Sequence, residues 1–280
     1  MPEREALDAA LADALPSVSV RSATPVDAGW SNAVWRVDTT EGTFVVRLPR
    51  PGTAPDPAKR RREAEVWRRA AAAEIAPEPT HLDPERGVLI TPAVAGADLD
   101  DHLGGAAPSP TLLDALGELL ARFHGLATTG LDTVDVLGAL DADLARSARA
   151  GLRHPPAIAS ARARAPALER NALAHHDLIP ANVLVGARLW LVDLEASGPG
   201  DGTLDLVSLS ETLGLDAQGE RRLFRAAGRP LPDPARRRAL GDLFQLREYA
   251  WAALRIVEGR EDPGVRRQLR SSAEQLRRPA

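Results

Sequence analysis

The sequence predicts an α+β protein of two lobes, an antiparallel sheet with one packed helix followed by a mainly helical lobe. Two observations carry that reading. Apolar and β-branched residues alternate in short runs before residue 92, whereas from Asp98 onward they recur every three or four positions. A third observation, a polar stretch between Ala174 and Asp205 that interrupts the helical pattern, marks where chemistry is to be sought.

Leu7, Leu11 and Leu15 sit four residues apart in an alanine-rich opening, the pattern of an amphipathic helix stopped by Pro16. Val18 and Val20, then Val34-Trp35-Arg36-Val37 and Thr43 to Leu48, read as strands, with Glu41-Gly42 as a hairpin signal. Pro57 opens a helix through Glu63, Val66, Trp67 and Ala70, because its fixed φ suits a first turn and its missing N–H has no partner there. Pro77 and Pro79 end that pattern. His81-Leu82 and Val88 to Thr91 flank the turn Asp83-Pro84-Glu85-Arg86-Gly87 and complete the sheet.

In the second lobe, Leu112, Leu113, Leu116, Leu119, Leu120 and Phe123 mark one amphipathic helix. Further helices are expected near 139–150, 157–170, 204–214, 217–227, 234–258 and 263–277. Val183-Leu184-Val185 and Leu189-Trp190-Leu191-Val192, separated at Gly186, predict a hairpin inside this helical lobe. Arg146 to Arg164, rich in Arg, Ala and Pro, reads as a variable helical insertion without a motif.

Composition narrows the function. The 280 residues, 44% hydrophobic and 26% charged, have the balance of a globular protein. A net charge of -4 provides no global field for nucleic acid or an anionic membrane, and Lys59-Arg60-Arg61-Arg62, followed by Glu63 and Glu65, reads as a solvated helix face. The absence of cysteine excludes disulfides, thiolate zinc sites and cysteine nucleophiles. No long apolar run and no export signal are visible, so a cytoplasmic location without a membrane partner is expected.

The chemistry centres on His175-His176-Asp177-Leu178-Ile179-Pro180-Ala181-Asn182, which leads directly into the Val183 strand. An Asp and an Asn five residues apart, ahead of a hairpin, suit two tasks: a carboxylate that meets a hydroxyl proton and an amide oxygen that meets a divalent ion. Asp193 adds a carboxylate at the next strand end. Magnesium takes hard oxygen ligands and keeps its waters, so Asn182, Asp193 and phosphate oxygens suffice. A rival reading makes His175, His176 and Asp177 a hydrolase metal cluster, but adjacent residues rarely converge on one ion and no third His lies nearby at helical spacing.

The pattern His-x-Asp-x-x-x-x-Asn followed by Asp-x-Glu resembles the aminoglycoside phosphotransferase and choline kinase superfamily, distant relatives of protein kinases. That resemblance implies a bilobal protein-kinase-like fold, with a nucleotide-binding lobe over 1–93 and a helical catalytic and substrate lobe over 94–280. It implies ATP and Mg2+ as cofactors, Asp177 as the catalytic group, and Asn182 and Asp193 as metal ligands. It also makes His175 a loop brace and Asp205, in Leu204-Asp205-Leu206, a structural aspartate. Gly29-Trp30-Ser31-Asn32 looks like the phosphate-covering loop, which puts Ser31 and Asn32 at the nucleotide. Arg47 stands where protein kinases carry lysine, as in the choline and thiamine kinase branches, and its fork suits phosphate oxygens. Glu63 matches the helix glutamate that orients this arginine, with Glu65 as its rival. Thr91 to Val94 resembles the adenine hinge, assigning Ala93 and Val94 to the nucleotide.

Two departures bound the reading. The Gly-x-Gly-x-x-Gly loop is incomplete, and the 11 residues between Asp193 and Asp205 are too few for a protein-kinase activation loop. The second argues against a protein substrate and against switching by loop phosphorylation. The Asp-x-Glu form is similar to choline, ethanolamine and thiamine kinases, which implies a cationic or amino-bearing alcohol, with Glu195 and Trp251 toward it and Glu248 adding charge. Trp251 reads evenly as a core or a pocket residue, and Tyr249 more as core. An aminoglycoside or amino-sugar acceptor is the alternative among enzymes, and a nucleotide-binding pseudokinase the alternative outside them.

Overall fold

The computed structural model describes residues 2–26, 32–50 and 56–277. Its first part runs α1 (Pro2–Ala14), β1 (Val20–Val26), β2 (Asn32–Thr39), β3 (Thr43–Pro49), α2 (Pro57–Ala72), β4 (His81–Asp83) and β5 (Val88–Pro92). The five strands form an antiparallel sheet in the order β1-β2-β3-β5-β4. Alternation sorts the sheet's two faces. Val37, Val46, Leu48, Val88 and Ile90 pack on Leu7, Ala10 and Leu11 of α1 as one apolar cluster. Arg47, paired with Val34 on β2 and Leu89 on β5, therefore points to the opposite face.

α2 serves that second face and joins the sheet to the rest of the chain. Its Val66, Trp67 and Ala70, together with Ile75, Ala76 and Leu89, belong to the large core of the helical part. The helix starts where the sequence analysis placed it because the Asp56 side chain accepts from the Ala58 amide and Pro57 occupies the first turn.

The second part contains β6 (Ala97–Asp98), α3 (Leu99–Leu103), α4 (Pro110–His124), α5 (Val136–Arg149), α6 (Pro156–Ala163), β7 (Ala172–Ala174), β8 (Val183–Val185), β9 (Leu189–Leu191), β10 (Gly198–Gly200), α7 (Gly202–Thr212), α8 (Ala217–Ala226), α9 (Pro234–Val257) and α10 (Pro263–Gln275). α6 ends well before the expected residue 170, since Pro166 disfavours helical geometry in the residue before it. Two small antiparallel sheets, β6-β8-β9 and β10-β7, interrupt the helices and frame the polar stretch. Gly96 (φ +139°) lets the segment after β5 approach the hairpin closely, because a Cβ there would lie 2.0 Å from the Val185 carbonyl oxygen. No helix among the described residues is long and apolar enough to cross a membrane.

The core of the helical part is held by Leu116, Leu120 and Phe123 of α4 against Leu223 and Phe224 of α8. Gly117 permits that approach: a Cβ there would meet the Ala226 Cβ at 2.5 Å and the Leu223 carbonyl at 2.7 Å. Gly117→Ala gains helix propensity of at most about 1 kcal/mol but overpacks a backbone contact costing roughly 1–3 kcal/mol. The variant should show a lower urea midpoint with an unchanged slope; an unchanged or raised midpoint would contradict the close packing.

Candidate active site

β7 delivers the chain into His175, β8 carries it away from Asn182, β9 leads to Asp193, and β10 follows Glu195. The two short sheets thus bring the polar loops together. Asp205, in the first turn of α7, ties them from below. Its carboxylate accepts from the backbone N–H groups of His175 (2.7 Å) and His176 (2.9 Å), and Oδ2 also meets His124 Nε2 at 3.0 Å. Burial alone would push this carboxyl up, but His124, followed by His176 and His175, outweighs it and holds it at about 2. The bonds also stabilise His176 in a left-handed conformation (φ +64°), which is uncommon for residues other than glycine.

His175 is fully buried beside Phe123. Its Nε2 lies 3.1 Å from the Val192 carbonyl, and its Nδ1 accepts from the Asp177 amide at 3.3 Å. The Val192 amide in turn donates to the Asn182 carbonyl at 3.0 Å. Val192 therefore couples both ends of the loop to the residue before Asp193. With Nε2 spent on a carbonyl and Nδ1 on an amide, His175 has no nitrogen left for a metal. His176 is buried without a hydrogen-bond partner on either ring nitrogen, and burial depresses it to about 4, so its ring is neutral.

Asn182, Asp177, Asp193 and Arg47 are gathered around one cleft. Asn182 Nδ2 donates to the Asp177 carbonyl at 2.8 Å, which turns Oδ1 away as the amide's free acceptor. Asp193 adopts φ +57° and is 40% exposed, and Asp177 is 46% exposed, so both carboxylates face open space. Arg47 pairs closely with Glu63 and lies 3.3 Å from Asp193. Burial would favour a neutral Arg47, but Glu63, Asp193 and Glu195 push it firmly upward. Glu65 instead bonds Arg69 at 2.9 Å on its own helix, so Glu63 is the residue that reaches Arg47.

Glu195 is drawn to the sheet side of the cleft, where Oε2 accepts from Asn32 Nδ2 at 3.0 Å. Ser31 lies outside the described residues. Burial first, and then Asp193, raise the Glu195 carboxyl; burial likewise raises Asp193. Carboxyls forced upward by burial and mutual repulsion are poised for a cation, and the free Asn182 Oδ1 adds a neutral oxygen. Among the described residues no group of three or more His, Cys, Asp or Glu forms a metal cage. That composition suits an ion that brings its own ligands, as magnesium does with phosphate and water. At the expected hinge, the Ala93 amide donates to the Thr43 carbonyl at 2.9 Å.

α9 closes the far side. Tyr249 is buried in the core and its hydroxyl lies 3.0 Å from His154 Nδ1. Two residues along a helix differ by about 200°, so Arg247 and Trp251 project from the face opposite Tyr249. Arg247 Nη2 lies 3.8 Å from Asp177 Oδ1. Glu248, half-buried, accepts from Gln268 Nε2 of α10 at 2.9 Å and is pushed up to about 7 by burial and by Asp177, against Arg247. The sequence reasoning missed Arg247, Arg62 and His124. Arg62 donates to the Ser197 carbonyl at 2.9 Å and bolts α2 to the segment after Asp193. Nothing in the local sequence marks Arg62 or His124; Arg247 had one signal, its place one turn before Trp251.

A sheet lobe, a helical lobe and a cleft of acids with one paired arginine define a kinase-like phosphotransferase that acts on hydroxyl groups. Residues 22–255 match the Phosphotransferase enzyme family (APH), and the chain belongs to that family. No curated protein sequence matches it. Among solved structures it is similar to a choline/ethanolamine kinase family protein from Mesorhizobium loti, at 24% identity and TM-score 0.72, covering 99% of this chain and 94% of that one. Choline kinase LicA from Streptococcus pneumoniae aligns at 16% identity and TM-score 0.74 over 99% of both chains, and LicA has also been solved in complex with AMP. Macrolide 2'-phosphotransferase MphH from Brachybacterium faecium aligns at 20% identity and TM-score 0.66 over 99% of both chains. These likenesses establish the fold.

The depressed Asp205 carboxyl links stability to pH. Its folded value of about 2 lies below the unfolded 3.8, so its contribution is complete above pH 4 and is lost as pH falls through 2. The shift corresponds to on the order of 2 kcal/mol. Asp205→Asn should lower urea stability at pH 7 and flatten the loss between pH 4 and 2; parallel acid profiles for the two proteins would refute the assignment.

Proposed function

We propose that this phosphotransferase moves the γ-phosphoryl group of ATP to a hydroxyl of a small cationic or amino-bearing metabolite. The observation that carries the reading is the meeting of Asp177, Asn182, Asp193 and Arg47 around one cleft between sheet and helices. Nucleotide binding is further supported by the AMP complex of LicA. Val34 and Val45, on the same sheet face as Arg47, are half-buried and packed in neither apolar cluster, which leaves them to cover an adenine ring. Ser31 and Asn32 are assigned to the phosphates, and the Ala93 carbonyl and the Val94 backbone to adenine.

In this reading Asp177 accepts or orients the proton of the acceptor hydroxyl. Arg47, braced by Glu63, steadies the nucleotide phosphates. Asn182 and Asp193 would hold magnesium, with Glu195 beside them. The ion, when bound, neutralises charge on the phosphate oxygens. His175 and Asp205 keep the loop in place, so the protein contributes mostly placement and charge compensation.

The acceptor class rests on α9. Glu248 and Trp251 share the arc of the helix that bears Arg247, the residue beside Asp177. A carboxylate and an indole face together suit an ammonium group, for which a desolvated cation–π contact supplies about 2 kcal/mol. The choline and ethanolamine kinase neighbours agree with this choice. An aminoglycoside or amino-sugar acceptor is the second reading, favoured by the likeness to phosphotransferases solved with spectinomycin and with kanamycin.

The direct test is turnover of Mg-ATP with choline, ethanolamine, thiamine, amino sugars and aminoglycosides. One cationic alcohol should be phosphorylated, and Asp177→Asn should abolish turnover while leaving nucleotide affinity intact. Full activity in that variant would remove the assigned role, and silence with every acceptor would favour a pseudokinase.

A pH profile tests the acceptor site separately. Glu248 is neutral below its value of about 7 and charged above it, so kcat/KM for a cation should rise with pH through 7. Glu248→Gln should erase that rise and weaken kcat/KM about tenfold or more. A rise that persists in the variant would assign the titration to another group.

A further inference from the structure

We propose that Arg247 is a catalytic residue whose guanidinium contacts the phosphoryl group in flight, on the acceptor side of the cleft. The inference rests on the reading of Asp177 as the group that meets the acceptor hydroxyl.

The argument begins with charge placement. An acceptor oxygen within hydrogen-bond reach of Asp177, about 2.6–3.2 Å, brings the oxygens of the approaching phosphoryl group close to the same carboxylate. Phosphoryl and carboxylate oxygens repel, and the charge on the former is spread over three equatorial positions in the transition state. Beyond the ion that Asn182 and Asp193 would hold, a protein cation beside Asp177 offsets this on the acceptor side. The loop supplies none, since Leu178, Ile179, Pro180 and Ala181 are all uncharged. Arg47 is committed to Glu63 and Asp193 on the sheet side.

Arg247 fills the gap. Its Nη2 lies 3.8 Å from Asp177 Oδ1, near enough for attraction and too far for a direct hydrogen bond. Among the described residues this is its one polar contact, so its donors remain unspent. Glu248, the neighbouring acid, is held by Gln268 at 2.9 Å and forms no ion pair with Arg247. The side chain is 22% exposed, open to a ligand but screened from bulk water on most sides. A guanidinium also presents parallel donors that match two phosphoryl oxygens at once.

The position is rigid. α9 packs along α10, α5 and α7, and Tyr249 sets its rotation by burying its ring in the core and bonding His154. A cation on such an element costs little reorganisation at the moment of reaction. The bond between Pγ and the bridging oxygen of ADP breaks as the bond from the acceptor oxygen to Pγ forms, and the hydroxyl proton passes to Asp177. Arg247 gains its contacts as the phosphoryl crosses, which favours the transition state over bound ATP.

The test compares the full-length protein with Arg247→Gln, Arg247→Lys and Arg247→Ala. Titrations with Mg-ADP alone, and with Mg-ADP plus aluminium fluoride as a mimic of the transferred group, need no acceptor. The native protein should bind the fluoride complex more tightly. Arg247→Gln should keep its affinity for Mg-ADP within about twofold yet lose most of that tightening. With the acceptor from the screen, kcat should fall on the order of 10³-fold in Arg247→Gln. Arg247→Lys should fall less, and free guanidinium should partly restore Arg247→Ala, a response that a purely structural role would not produce. Unchanged tightening in Arg247→Gln, a loss confined to the acceptor KM, or no fluoride tightening in the native protein would overturn the proposal. Native protein that fails to bind Mg-ADP would remove the underlying kinase reading instead, and the proposal with it.

Discussion

A carboxylate with almost no exposed surface is tolerated only when its lone pairs are filled, and Asp205 meets that condition by gathering two consecutive amides and an imidazole. The arrangement works in both directions. The His124 imidazole, with His176 and His175 behind it, keeps the acid ionised, and the acid, through the two amides, holds His176 at a positive φ. The next residue is Asp177, so the direction of that side chain depends on a turn fixed from α7. From there, His175 carries the constraint to Val192 and Val192 to Asn182 and Asp193. A chain of hydrogen bonds, most of them between side chain and backbone, thus sets the geometry of these loops.

Across the cleft the same problem is solved with ions. Arg47 is surrounded by Glu63, Asp193 and Glu195, and the acids are in turn raised by burial and by one another. Removing any one partner leaves an uncompensated charge at partial burial, an expensive outcome. The pair also couples sheet to helices, because Glu63 rides on α2, whose apolar face belongs to the core of the helical part. Identity at position 47 says little alone: Lys59 is the single lysine among 35 basic residues, so arginine is what this chain places almost everywhere. The meaning comes from the partners.

α9 shows how far a local pattern carries. Tyr249 and Trp251 lie two positions apart in an otherwise aromatic-poor chain, and in sequence Trp251 read evenly as core or pocket and Tyr249 more as core. Rotation of the helix separates them, sending Tyr249 to His154 and Trp251 to the face that bears Arg247. Arg247 passed unremarked because an arginine on a long amphipathic helix is ordinarily a solvated charge. Similarly, α6 stops short because Pro166 intervenes, a boundary signal outweighed in the sequence analysis by the Ala and Arg content around it.

The two-lobed architecture, the hairpin after Asn182, the ordered set Asp177, Asn182, Asp193 and Asp205, and the family they indicate all followed from residue order, because period, turn chemistry and short motifs are local properties of a chain. Pairing across the cleft was not available at that level. Arg47 and Asp193 are 146 positions apart, and whether Glu63 or Glu65 reaches the arginine turns on the rotation of one helix against a core built from both parts of the molecule. The same holds for Glu195, drawn to Asn32, and for Arg247, brought to Asp177 by the packing of α9. Distances of a few ångströms between remote segments are decided by how apolar faces fit together, and that information exists only once the chain has folded.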